Sequence, residues 1–103
     1  MKFEEVLKEL RQGKIARRRC YADYLVIFMQ VPAYINCEDT WNMKSLPNDM
    51  KILLKQHHRD VKYEDQFIIY DLEDQVATYH VFDGEDINAT DWEVIDPFCY
   101  TYE

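Results

Sequence analysis

Apolar residues near the start of the chain recur with the period of a helix. Phe3, Val6, Leu7 and Leu10 fall at i, i+3, i+4 and i+7, which lines one helical face. Glu4 and Glu5 stand in the first turn, where carboxylates complement the helix dipole. Gly13 is a natural residue just past a helix end. The pattern predicts a helix over residues 3–12. Ile15 to Arg19 reads as a short strand; if extended, Arg17, Arg19 and Tyr21 share one face. Tyr24 to Val31 is nearly all apolar and is stopped by Pro32, the mark of a strong strand. Residues 33–44 show no clear period, with Trp41 as their anchor. Ser45-Leu46-Pro47 pairs a capping hydroxyl with a proline suited to a first turn. Leu46, Met50, Leu53, Leu54 and His57 then share a face of a second helix over 47–58.

Gln66 to Tyr70 and Gln75 to Phe82 are predicted strands, joined as a hairpin through Glu73-Asp74. Asp83-Gly84 breaks the chain, residues 86–90 suit one helical turn, and Trp92 to Ile95 reads as a last strand. The tail over 97–103 is aromatic and acidic, suited to pack on the body or on a partner chain. The fold class is α+β: an antiparallel sheet of about four or five strands with an N-terminal amphipathic helix and a second helix in mid-chain. At 103 residues the expectation is a single domain, 1–103, with a modest core.

Charge changes the picture. The net charge is −8, but residues 1–20 hold seven Lys and Arg against three Glu, leaving −12 on the remainder. An acidic chain makes a poor general binder of nucleic-acid polymers, which need a broad basic surface. A small anion needs only a local basic spot, and Arg17-Arg18-Arg19 can supply one. The same run also suits a solvated strand edge. Eight tyrosines fit half-wet pockets and interfaces, and equally the exposed face of a sheet. Cys20, Cys37 and Cys99 are far apart and lack CxxC spacing, which argues for reduced thiols and against a disulfide framework or zinc site. The opening residues do not form a signal peptide, and no apolar stretch approaches membrane-spanning length.

Catalytic signatures are absent: no P-loop, no GxGxxG, no GxSxG and no HExxH. His57 and His58 are adjacent, so a helix points them apart and they make a poor metal pair. His80 lies in an apolar strand, where a sheet histidine is the plainer reading. Asp86, Asp91 and Glu93 can be written as an acid–base set, but carboxylates in a loop are more often caps. Cys20 beside Arg19 has no partner for thiol chemistry. No cofactor and no metal is expected. What remains is a binding set. Arg17 and Arg18 offer charge-assisted hydrogen bonds to phosphate. Tyr21 offers a stacking face. Asn88, Thr90 and Asp91 offer groups for ribose hydroxyls and base edges, and Trp92 offers a wide ring. A tryptophan in a short strand is also ordinary core, Arg17 and Arg18 also suit pairing with the acidic C-terminal half, and Asp91 also suits a turn cap.

Two motifs carry a resemblance. The first is Phe3 to Leu10, Gly13-Lys14, Ile15-Ala16-Arg17-Arg18 and then Tyr21; the second is Asp86-Ile87-Asn88-Ala89-Thr90-Asp91-Trp92. In that order, and in a chain of this length, they resemble the Thoeris anti-defence type 2 family of phage proteins. Ser45-Leu46-Pro47 leading into Lys51-Ile52-Leu53-Leu54, and Tyr63 to Gln66, are also similar to some members. Two positions depart: Tyr21 stands where the family has Trp, and Tyr79 stands near another usual Trp. The resemblance implies a sponge rather than an enzyme. Family members hold an isomer of cyclic ADP-ribose made by a TIR-domain sensor, and some hold cyclic di- or trinucleotides of CBASS at a separate site. It implies a helix-plus-sheet fold, a homodimer or homotetramer with pockets between subunits, and action in the cytoplasm of the infected host. The implied ligand-binding residues are Arg17, Arg18, Tyr21, Tyr79, Asn88, Thr90, Asp91 and Trp92. Competing classes are a small acidic inhibitor that binds a host defence protein, a hydrolase of the signal using Asp86, Asp91 or His80, and a structural prophage domain.

Overall fold

The computed structural model describes residues 1–101. The chain forms two compact units, one made of Met1–Gln30 and the chain from Gln66 onward, the other of Val31–Asp65. The first holds a five-stranded sheet in the order β6-β5-β2-β1-β7, with β1 at Ile15–Arg18, β2 at Leu25–Gln30, β5 at Gln66–Asp71, β6 at Val76–Tyr79 and β7 at Trp92–Ile95. All four neighbouring pairs are antiparallel. The α+β class and the two expected helices are therefore as read from the sequence, and further short elements accompany them.

Helix α1 covers Phe3–Arg11. Val6 and Leu10, on its apolar face, are fully buried with Ala16, Ile27 and Trp92, and Phe3, Phe67, Ile69, Phe82 and Val94 pack around them. Each fully buried aliphatic of this kind contributes about 1.5–3 kcal/mol. The helix closes as the sequence implies. Gly13 takes φ +89, its N–H bonds the Leu10 carbonyl, and the Lys14 N–H reaches back to Glu9. That is a Schellman end, which favours glycine at the left-handed position.

The β5–β6 hairpin forms where Glu73-Asp74 places it. The Asp71 side chain accepts the N–H groups of Glu73 and Asp74, both at 2.9 Å, and Gln75 takes φ 60 to complete the turn. β6 ends at Tyr79, short of the expected Phe82. Past the hairpin the chain turns inward, because Phe82 packs edge-on against Phe3 and Phe67 at 5.0 and 4.9 Å. α3 then spans Gly84–Asn88. Asp83 caps it, accepting the Asp86 N–H at 2.9 Å. A carboxylate N-cap also complements the helix dipole. Of the tail, Tyr100 packs back on the body, its hydroxyl bonding the Asp23 carbonyl, while Phe98 is exposed. The expected packing of Tyr102 and Glu103 lies outside the described residues.

In the second unit, β3 (Ala33–Ile35) pairs with β4 (Val61–Tyr63). A 3-10 helix follows over Glu38–Asn42, then α2 over Asn48–His57. Two expectations are corrected here. Pro47, not Ser45, takes the N-cap position of α2, and no side chain caps it. The expected apolar face is not the buried one either. Met50 and Leu53 are exposed, and Lys51 is buried instead, its ammonium donating to the Trp41 carbonyl at 3.2 Å. A lysine can do this because its stem packs as hydrocarbon while its tip finds an acceptor. Trp41 is therefore held by its backbone while its ring stays partly open.

Candidate functional site

The register of β1 on β7 decides what the arginines do. Arg18 lies opposite Trp92 and Arg17 opposite Glu93. Successive strand residues point to opposite faces, so Arg18 shares the helix-covered face with Trp92 while Arg17 lies on the other. The expected grouping of Arg17, Arg19 and Tyr21 on one face is thereby corrected: the strand ends at Arg18, and it is Arg18 that meets Tyr21, its guanidinium carbon 6.0 Å from the ring centre.

Around Arg18 the two motifs of the sequence close into one network. Its Nε donates to Asp91 Oδ1 at 3.0 Å. Its Nη1 donates to Asp86 Oδ1 at 3.2 Å and to Glu85 Oε1 at 3.3 Å. The Tyr21 hydroxyl donates to Asp86 Oδ1 at 3.3 Å, and His80 Nε2 stands 3.3 Å from Asp86 Oδ2. Trp92 Nε1 donates to the Asp86 carbonyl at 2.9 Å. Asp86, Arg18 and Trp92 are all buried. The hydrogen bond to Asp91 lifts the Arg18 guanidinium above its usual range, against the opposing effect of burial. The same bond holds the Asp91 carboxyl below the carboxylate range. Burial first, and then the charge of Asp86, push the Tyr21 phenol up.

On the other face Arg17 is also spent. Nη1 donates to Glu93 Oε1 at 2.9 Å, and Nη2 donates to the Tyr21 carbonyl. Arg17 Nε is buried with no acceptor among the described residues. Of the basic run only Arg19 is exposed, 3.5 Å from Glu93. The arginines expected to hold phosphate are thus neutralised by the chain's own carboxylates. The sequence allows pairing with the acidic C-terminal half but does not name the partners, since Arg18 and Asp91 are 73 residues apart.

The remaining candidates divide. Asn88 and Thr90 are exposed beside Asp91, at the end of α3 and in the loop after it. Trp92 is only 1% exposed, so it serves as core. Tyr79 stands apart on edge strand β6, where it lines an open groove of about 600 Å³ with Phe28, Gln30, Ile68, Ala77 and Thr78. Sequence reasoning missed the central part of Asp86, which takes the Asp83 N–H at the start of α3, binds Arg18 and Tyr21, and lends its carbonyl to Trp92. Its place in a helix-capping pattern after Asp83 was the available signal. The exposed rim of Asn88, Thr90 and Asp91 offers an amide, a hydroxyl and a carboxylate. Such groups match ribose hydroxyls and exocyclic amines better than they match phosphate.

Acid should loosen this network in a defined way. The folded pKa of Asp91 lies below its unfolded value, so its ionised form adds stability at every pH above about 4, and that stability is lost as pH falls through the folded value. Thermal melts of the native chain and Asp91→Asn should therefore differ most near neutrality and converge as pH falls below the ordinary carboxylate range. A difference that stays constant over that range contradicts the assignment.

No described helix is long and apolar enough to cross a membrane. No group of three His, Cys, Asp or Glu side chains with metal-binding geometry occurs among the described residues. A search of curated proteins finds no match. The profile of the Thoeris anti-defense 2-like domain, however, covers residues 1–95, and so contains both motifs of the Arg18 network, from α1 to the end of β7. The chain belongs to the Thoeris anti-defense 2-like family.

Proposed function

We propose that this anti-defence protein acts as a sponge. It binds an intact cyclic ADP-ribose-type signal of the Thoeris system and keeps it from its effector, in the cytoplasm of the infected cell. A cyclic di- or trinucleotide of CBASS is a second ligand of the same kind. The observation that carries this reading is the polar rim of Asn88, Thr90 and Asp91, held in place by the Arg18 network. A preorganised rim spends little of its binding energy on ordering itself. Arg19 is the exposed cation on the adjoining turn, suited to a phosphate at the edge of the ligand.

Binding without chemistry fits the state of the carboxylates. Asp86 is engaged by Arg18, Tyr21 and the Asp83 N–H. Asp91 is held ionised by Arg18, and so is poorly placed to act as a general acid. A trap of this kind works by mass action: it must be abundant, bind more tightly than the effector and release slowly. Assembly into a homodimer or homotetramer, with ligand pockets between subunits, belongs to the same proposal. The four exposed residues of edge strand β6 and the adjoining groove at Tyr79 offer one surface for it.

Exposed rim residues make clean tests because they carry little of the fold. Asn88→Ala and Thr90→Ala should leave the melting temperature within about 4 °C, since such changes cost about 0.5 kcal/mol or less. Each should weaken binding of the cyclic ADP-ribose isomer about tenfold by calorimetry, the loss of one to two hydrogen bonds. Native affinity in both variants would remove the rim from the site.

A further inference from the structure

Arg17 and Arg18 are spent on carboxylates, and a second group of cations lies at the end of α2. The end of α2 runs Lys55-Gln56-His57-His58-Arg59. None of Lys55, His57, His58 and Arg59 is in an ion pair among the described residues. Lys55 lies in the last turn of α2 and His58 just past its end. Together with Trp41, Cys37 and Glu38 they line a cavity of about 270 Å³. The Trp41 ring forms one wall, with Lys55 Nζ 5.3 Å from its centre. Trp41 is 42% exposed, while its backbone is fixed by Lys51.

His58 strengthens the case. It takes φ 54, closing α2 where the Arg59 N–H bonds the Leu54 carbonyl and the His58 N–H bonds Lys55. The equivalent position of α1 is Gly13, as such an end favours. A residue other than glycine at a left-handed position is strained, and strain of this kind collects at functional sites. The position gives up stability and gains an imidazole in the cavity wall.

We propose that this cavity is a nucleotide subsite taking one purine ring and one phosphate. The purine stacks on Trp41, as bases do on exposed aromatic rings, and takes the place of the Lys55 ammonium over that ring. Lys55, once displaced, pairs with the attached phosphate, and His58 donates to it. Glu38 accepts from an exocyclic amine and disfavours a second phosphate at its edge. The volume sits just under the usual range for small-molecule pockets, about 300–1,000 Å³, which suits a mononucleotide. The subsite does not depend on the rim of Asn88 and Thr90, so either can fail alone.

Tryptophan emission reports it directly, because Trp41 is open and Trp92 is 1% exposed. Titration of the full chain with AMP should change the emission saturably. Lys55→Glu should weaken AMP binding about tenfold or more, as expected when an opposed charge replaces a paired one. His58→Gly should raise the melting temperature, by relieving the left-handed residue, and still weaken AMP binding. Asn88→Ala should leave the AMP titration unchanged. Inorganic phosphate alone should give no saturable change. A response that stays linear in AMP, or that survives Lys55→Glu at native strength, overturns the proposal. So does His58→Gly if it binds AMP as the native chain does.

Discussion

Trp92→Ala is expected to destabilise the protein by about 3–5 kcal/mol, the usual cost of deleting a buried tryptophan from a core. The side chain is the largest of the fully buried ones. Its ring meets Phe3 at 6.2 Å, Tyr21 at 6.1 Å and Phe82 at 5.8 Å, so one truncation removes packing from α1, the turn after β1 and the lead-in to α3. The loss does not stop at the cavity. Trp92 Nε1 also donates to the Asp86 carbonyl, and losing that buried hydrogen bond adds about 0.5–1.5 kcal/mol while the carbonyl keeps the Ala89 N–H. Small domains are stable by only about 5–15 kcal/mol, so the variant should lose most or all of its cooperative melt. Trp92→Phe keeps a ring but not the donor, and should fall between the two. Circular dichroism melts of the three chains check this. A melting temperature for Trp92→Ala within a few degrees of the native chain would show that the core is not built around this residue.

Arg18→Met should cost nearly as much, for an electrostatic reason. Met matches the apolar stem of arginine but leaves Asp86 buried without its cation. Breaking a buried pair from one side costs about 3–5 kcal/mol. Asp86 keeps the Tyr21 hydroxyl, the Asp83 N–H and His80 Nε2 at 3.3 Å, which places the loss toward the lower figure. Lysine is no substitute, because Arg18 serves Asp91 through Nε and Asp86 through Nη1 at once, and only a planar fork does that. The pair can be isolated with a double-mutant cycle of Arg18→Met and Asp86→Asn by denaturant unfolding. Coupling of about 1–3 kcal/mol is expected for groups in one network. Additive effects would mean that Arg18 acts mainly through Asp91. Both predictions also warn against reading a binding defect in Trp92 or Arg18 variants as loss of a ligand contact.

Where local chemistry decides structure, the sequence was readable. α1, its glycine end, the hairpin at Glu73-Asp74 and the last strand at Trp92 each follow from a period or a turn residue within a few positions. Residues 31–65 were harder. β3 and β4 are three residues each, too short to show alternation, and the 3-10 helix has no period of its own. α2 misled because its leucines predicted a buried face, whereas the long stem of Lys51 is what packs. For the candidate site, the right residues were visible but not their partners. Arginines beside a tyrosine describe a phosphate clamp and a structural ion network equally well. Only the pairing of β1 with β7 shows that Asp86 and Asp91 reach them first.

The central claim is sequestration without cleavage, and catch-and-release mass spectrometry tests it most directly. The protein would be incubated with cyclic ADP-ribose isomers and cyclic di- and trinucleotides, filtered free of unbound ligand and then denatured by heat. Release of one intact cyclic species, close to stoichiometric with the binding sites, is the predicted result. Release of a linear or hydrolysed product, or of no nucleotide at all, would contradict it.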